Sequence, residues 1–123
     1  DEILKRNKIA NYYSANITNS LIKPYVPENY LSSWAQYSLV AHSEKIRNEI
    51  LSTLQKNNIP SMVYYRTPLH LQSVFSDLEY KKGDFNISEA ISKKIFSIPM
   101  HPYLKKEQQN MIIDILLHVH SSL

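Results

Sequence analysis

The stretch that decides the fold is "SSWAQYSLVAHSEKIRNEILSTLQKNNIP", residues 32–60. Its first part alternates. Trp34, Gln36 and Ser38 take one side, and Ala35, Tyr37 and Leu39 take the other. With its aromatics, residues 32–41 read as a strand. At Ser43 the period changes. Serine is a strong N-cap residue, and Ile46, Ile50, Leu51 and Leu54 follow it as one apolar stripe. The pair Asn57–Asn58 and then Pro60 stop the helix. A strand feeding an amphipathic helix requires a sheet and a helical layer to cover it.

The same reading extends outward. Residues 1–19 form a helix with Ile3, Ala10, Tyr13 and Ile17 facing inward, and Pro24 and Pro27 then force an extended linker. Residues 61–65, "SMVYY", are expected as a short strand. A loop over 66–86 follows, with one helical turn through Val74 and Phe75, and it holds the only glycine, Gly83. Asn86 and Glu89 have capping-box spacing, which predicts a helix with Ile87, Ile91 and Ile95 inward. "FSIP" at 96–99 is a strand ended by Pro99. Residues 105–119 form the last helix, with Met111, Ile112, Ile115, Leu116 and Val119 as its stripe. The expected class is α+β: a small sheet of short strands covered by amphipathic helices, in a single domain.

Composition bounds the function. At 123 residues the chain is long enough for a core without staples. The net charge of +3 comes with lysine pairs at 81–82, 93–94 and 105–106, read as solvated element ends rather than a nucleic-acid surface. The absence of cysteine excludes disulfides and thiolate metal sites. No apolar run approaches the ~20 residues of a membrane span. With one glycine there is no phosphate-cradling loop. His118 and His120 point to different sides of a helix, His42 ends a strand, and no HExxH spacing exists, so no metal site is expected. Asp77, Glu79 and Asp84 read as solvated loop charges. Two stiff proline–histidine loops remain, "YYRTPLHLQ" at 64–72 and "PMHPYL" at 99–104. Proline stiffening lowers the entropy lost on binding, so the first reads equally as a ligand-facing edge or a packed turn, while the second reads rather as a packed turn whose histidine caps local backbone groups.

Four stretches in one order, "SSWAQYSL" (32–39), "IPSMVYYRTPLHLQSVF" (59–75), "KKGDFNISEAIS" (81–92) and "FSIPMHPYLKKEQQ" (96–109), resemble the C-terminal part of pyridoxal-phosphate-dependent sugar-nucleotide aminotransferases of the DegT/DnrJ/StrS type. The resemblance covers residues 1–119. It implies the small C-terminal domain of an enzyme similar in fold to aspartate aminotransferase, cut from a longer cytoplasmic protein. The cofactor lysine then lies in an N-terminal domain absent from this chain. The enzyme would be a homodimer moving an amino group, usually from glutamate, to a nucleotide-linked keto sugar for surface-glycan or lipopolysaccharide biosynthesis. The fragment alone would hold no pyridoxal phosphate and be inactive.

The resemblance also implies site residues. Tyr64 and Tyr65 match a pair that reaches toward the sugar nucleotide, His70 is the next candidate contact, and His101 ranks below it as a shape-holder of its own loop. Trp34 and Tyr37 are assigned to the core. Three positions depart from the pattern: Arg66 and Asn86 replace prolines, and Glu79–Tyr80 replaces a Gly–Tyr pair. Arg66 is either a phosphate contact, because a guanidinium binds phosphate bidentately, or a solvated or aspartate-paired arginine. No catalytic, cofactor or metal residue is expected in this chain. The rival expectation is a stand-alone binding or scaffold module of the same fold, which a reading frame ending near this size would support.

Overall fold

The computed structural model describes residues 1–18 and 20–121, the side chains of His120 and Ser121 apart. The chain runs α1 (Glu2–Asn16), β1 (Tyr37–Val40), α2 (Glu44–Lys56), two 3₁₀ turns (Leu69–Leu71 and Ser73–Leu78), α3 (Asn86–Ser92), β2 (Ile95–Ile98) and α4 (Lys106–Ser121).

Strands β1 and β2 pair antiparallel, with Tyr37 opposite Ile98 and Leu39 opposite Phe96. These four side chains share one buried face of the sheet. On the other face the hydroxyls of Ser38 and Ser97 meet at 2.7 Å. Single bridges extend the sheet on both edges, Ile22 to Val40 and Met62 to Ser97.

Proline ends each edge in one direction. In antiparallel register the hydrogen-bonded pair next to Met62–Ser97 would be Pro60–Pro99, and neither proline has an N–H to give. On the far edge, Pro24 occupies the position that would pair next after Ile22. On the other side of Met62 the next pair would be Tyr64–Ile95, but the chain turns at Tyr64 and Tyr65 and the Ile95 carbonyl is taken by Arg47, so the strand expected over 61–65 is one bridge. The strand expected over 32–41 begins only at Tyr37. Trp34 sits at φ 50, a left-handed conformation that breaks extension. It is nonetheless buried and stacks on Tyr37 at 5.4 Å.

Helix α2 follows its sequence signals closely. Ser43 Oγ accepts the Ile46 N–H at 3.2 Å, and Ile50 and Leu54 are fully buried. At its end Asn58 is left-handed (φ 57), with Ile59 N–H donating to the Leu54 carbonyl and Asn58 N–H to the Gln55 carbonyl. That is the paired bonding of a Schellman end, with asparagine in glycine's usual place. Helix α4 starts with Gln108 turning back to accept the Lys105 N–H at 2.9 Å, and it packs against α1 and α2. Its buried apolar residues are Ile112, Ile113, Leu116 and Val119. Met111, expected inside, is exposed, and Ile113 takes its place. In α1 the inward side is Ile9, Ala10 and Tyr13, with Ile17 at its end, while Ile3 is exposed.

The largest departure concerns α3. Asn86 is its first residue rather than its cap, and the Phe85 side chain at the cap position makes no capping bond. Ile87 is 77% exposed and Ile91 is also exposed, so the helix turns its isoleucines away from the core. Only Ser92 in it is buried. The buried apolar core has no member between Leu54 and Phe96. The intervening segment is a lobe laid against the outside of the α+β core, and it holds the candidate site.

Candidate functional site

What anchors this lobe is a buried cation. Arg47 of α2 is 3% exposed, and its guanidinium donates to the carbonyls of Ser92 (3.2 Å) and Ile95 (3.1 Å). It thereby satisfies acceptors left over where α3 ends and β2 begins. Burial, and then the like charge of Arg66, push the Arg47 pKa down, while Glu44 pulls it back up. Sequence periodicity could not mark Arg47, which looks like one more polar residue on an amphipathic helix.

From Met62 the chain leaves the sheet, and Tyr64, Tyr65 and Arg66 come together on its edge, all three exposed. The two tyrosine rings meet edge to face at 6.0 Å. Tyr64 stands between two clefts. One, of about 180 Å³, runs along the edge of β2 past Met62, Ser97 and Pro99. The other, of about 230 Å³, is walled by Tyr64, Tyr65, Pro68 and Leu69 on one side and by Ile87 and Ile91 of α3 on the other. Beside them Arg66, Lys82 and Lys93 rim a third cleft of about 290 Å³ that also includes Glu44 and Glu89. Among the described residues Arg66 forms no ion pair. The edge thus offers phenol hydroxyls, an apolar slot and an uncommitted guanidinium side by side, which suits a ligand that joins a ring to a phosphate.

His70 stands apart from these three. Its side chain is 7% exposed and packs edge-on against Phe85 at 4.8 Å. Its Nε2 lies 3.5 Å from Glu89 Oε2 without forming an aligned hydrogen bond. The imidazole faces into the lobe, not out of it. His101 lies in the other proline–histidine loop, where its Nδ1 accepts the Tyr103 N–H at 3.3 Å. Asp77, Glu79 and Asp84 are exposed, as is His42. His118 is exposed on α4, and the side chain of His120 lies outside the described residues.

The lysines do not build a cofactor cradle. Nine of the eleven are exposed. Of the other two, Lys23 donates to the carbonyls of Ser14 and Ile17 at the end of α1, and Lys94 is only half-buried. A Schiff-base lysine needs an enclosed pocket with an acid placed for the cofactor ring, whereas Lys82 and Lys93, which line the cleft with Glu44 and Glu89, are themselves exposed. No three described His, Asp or Glu residues are grouped to hold a metal ion. No helix among the described residues is long and apolar enough to cross a membrane.

The model of the DegT/DnrJ/EryC1/StrS aminotransferase family matches residues 1–117. The chain belongs to that family. A solved DegT/DnrJ/EryC1/StrS aminotransferase from Brucella abortus superposes with a TM-score of 0.87 at 35% identity, over 98% of this chain and 31% of that one. The dTDP-3-amino-3,6-dideoxy-alpha-D-galactopyranose transaminase of Aneurinibacillus thermoaerophilus is 29% identical over 115 residues, 93% of this chain and 30% of that protein. A pleiotropic regulatory protein of Geobacillus stearothermophilus is 44% identical over 68 residues, 55% of this chain and 18% of that protein. The chain therefore spans less than a third of the length of each of these relatives.

Proposed function

We propose that this chain is the C-terminal small domain of a sugar-nucleotide aminotransferase, and that its 64–66 edge contacts the nucleotide-linked keto sugar. The observation that carries the reading is the meeting of two exposed tyrosines and an unpaired arginine beside an apolar slot, in a chain whose family match extends over residues 1–117. Tyr64 and Tyr65 offer hydroxyls to ribose or phosphate, and Arg66 offers a bidentate partner for phosphate. His70, enclosed behind them, shapes the edge rather than touching the ligand.

Amino transfer draws on pyridoxal phosphate as an electron sink. The lysines of this chain do not suit that group, so it is held by an N-terminal domain outside the 123 residues. The amino donor is glutamate. Ile87, Ile91 and the exposed aromatic side chains of the lobe are the surface on which the N-terminal domain, or the second protomer of a homodimer, rests. The rival reading, a free-standing binding module, is less well supported, because even the regulatory relative is several times longer than its matched stretch.

The test is to express the full reading frame containing this sequence, load it with pyridoxal phosphate, and supply glutamate with keto sugars linked to dTDP or UDP. An amino sugar nucleotide is the expected product. A reading frame that ends near this size, or a full-length protein that aminates none of them, contradicts the proposal.

A further inference from the structure

The segment 63–85 carries the proposed contacts, yet its own hydrogen bonds are short-range. Gln72 Nε2 donates to the Thr67 carbonyl at 3.0 Å, and Lys81 N–H to Asp84 Oδ2 at 2.8 Å. Apart from the backbone running into α3, the hydrogen bonds and ion pairs that leave the segment end, among the described residues, on one side chain: Glu89.

Glu89 takes the Gly83 N–H on both carboxylate oxygens, at 3.1 and 2.8 Å. Gly83 has φ +97, a conformation that residues with a Cβ rarely adopt. The chain's one glycine therefore sits where a turn must aim its N–H at α3. The same carboxylate stands 3.5 Å from His70 Nε2, which is buried and makes no hydrogen bond. Phe85 closes the gap, packing on His70 at 4.8 Å and on Tyr80 at 5.0 Å. One carboxylate on a helix thus touches the segment at two places, His70 in its first half and Gly83 near its end.

We propose that Glu89 is a positioning residue, a clamp that fixes segment 63–85 so that Tyr64, Tyr65 and Arg66 share one edge. It acts through Gly83 and His70 and makes no ligand contact itself. Its importance for binding rests on the contact role proposed above, but the clamp can be tested separately.

The experiment compares amide hydrogen exchange in the full-length protein with that in its Glu89→Ala and Glu89→Gln variants. In Glu89→Ala, exchange at Gly83 and across 69–85 is expected to rise by about tenfold or more, with α1 and α4 unchanged, since only local opening is made easier. Glu89→Gln keeps an acceptor for Gly83 N–H and brings an N–H for His70 Nε2, so exchange is expected to return to within about threefold of wild type. Dissociation constants for dTDP and UDP are measured in parallel, and Glu89→Ala is expected to weaken whichever binds by about tenfold. Unchanged exchange in Glu89→Ala overturns the clamp, as does an increase spread evenly over α1 and α4. A released segment with unchanged nucleotide affinity upholds the clamp and instead contradicts the contact role of the 64–66 edge.

Discussion

Tyr13 of α1 and Tyr37 of β1 meet inside the core with ring centroids 5.1 Å apart, and both are fully buried. Their hydroxyls are satisfied separately: Tyr13 donates to the Pro99 carbonyl at 2.9 Å, and Tyr37 shares a hydrogen bond with Ser14 Oγ at 2.8 Å. Burial raises both phenol pKa values. The nearby Tyr37 adds to the effect at Tyr13, and the Ser14 bond partly opposes it at Tyr37. The sign follows from linkage. Above a pH of about 10 the unfolded chain loses these protons while the folded chain keeps them, so stability falls as pH rises. Urea unfolding should show constant stability between about pH 8 and 9.5 and a progressive loss above 10. Tyr13→Phe should flatten that loss, and an unflattened profile would show that other groups cause it.

Arg47 is predicted to be the polar residue whose removal costs most. Arg47→Ala strands the Ser92 and Ile95 carbonyls at a buried junction and should destabilise by about 3 kcal/mol in chemical denaturation. A loss under about 0.5 kcal/mol, the level of an ordinary surface change, would refute the anchoring role.

Two isoleucines provide an internal contrast. Ile50 is fully buried and Ile87 is 77% exposed. Ile50→Ala should cost about 3 kcal/mol. Ile87→Ser, in the 123-residue chain, should stay within about 0.5 kcal/mol of wild type. Comparable losses would mean that α3 packs inward after all.

The Ser43 cap gives a smaller effect. Ser43→Ala removes the acceptor for the Ile46 N–H and should cost about 1 kcal/mol, while Ser43→Asp should recover most of it. No difference between the two variants would show that the cap contributes nothing.

Where local rules acted alone, the sequence was readable. Ser43, the 3.6-residue stripe to Leu54 and the double asparagine specified α2 almost residue by residue. Strand lengths are not readable, because they depend on which residue stands opposite: Pro60 falls in register with Pro99 only after the chain has folded. The α3 face differs from the expected one for a related reason. Periodicity shows that Ile87 and Ile91 form a stripe with Ile95, but not whether the core or another surface receives it. Glu89 resembled half of a capping box because its spacing fits, yet its carboxylate goes to Gly83 and His70 instead. At the site, the cluster at 64–72 was visible as an unusual run of residues. That it splits into an exposed trio and an inward histidine was not, because the split is made by Phe85 and Glu89 from another part of the chain.

We propose that Tyr64, Tyr65 and Arg66 contact a sugar nucleotide. The most direct test of this contact is equilibrium binding of dTDP and UDP to the full-length protein and to its Arg66→Ala and Tyr64→Ala variants. We predict that the wild type binds at least one diphosphate and that each substitution weakens it by about tenfold, the effect of losing about 1.4 kcal/mol of contact. An unchanged dissociation constant in both variants, or no binding by the wild type, would contradict the account.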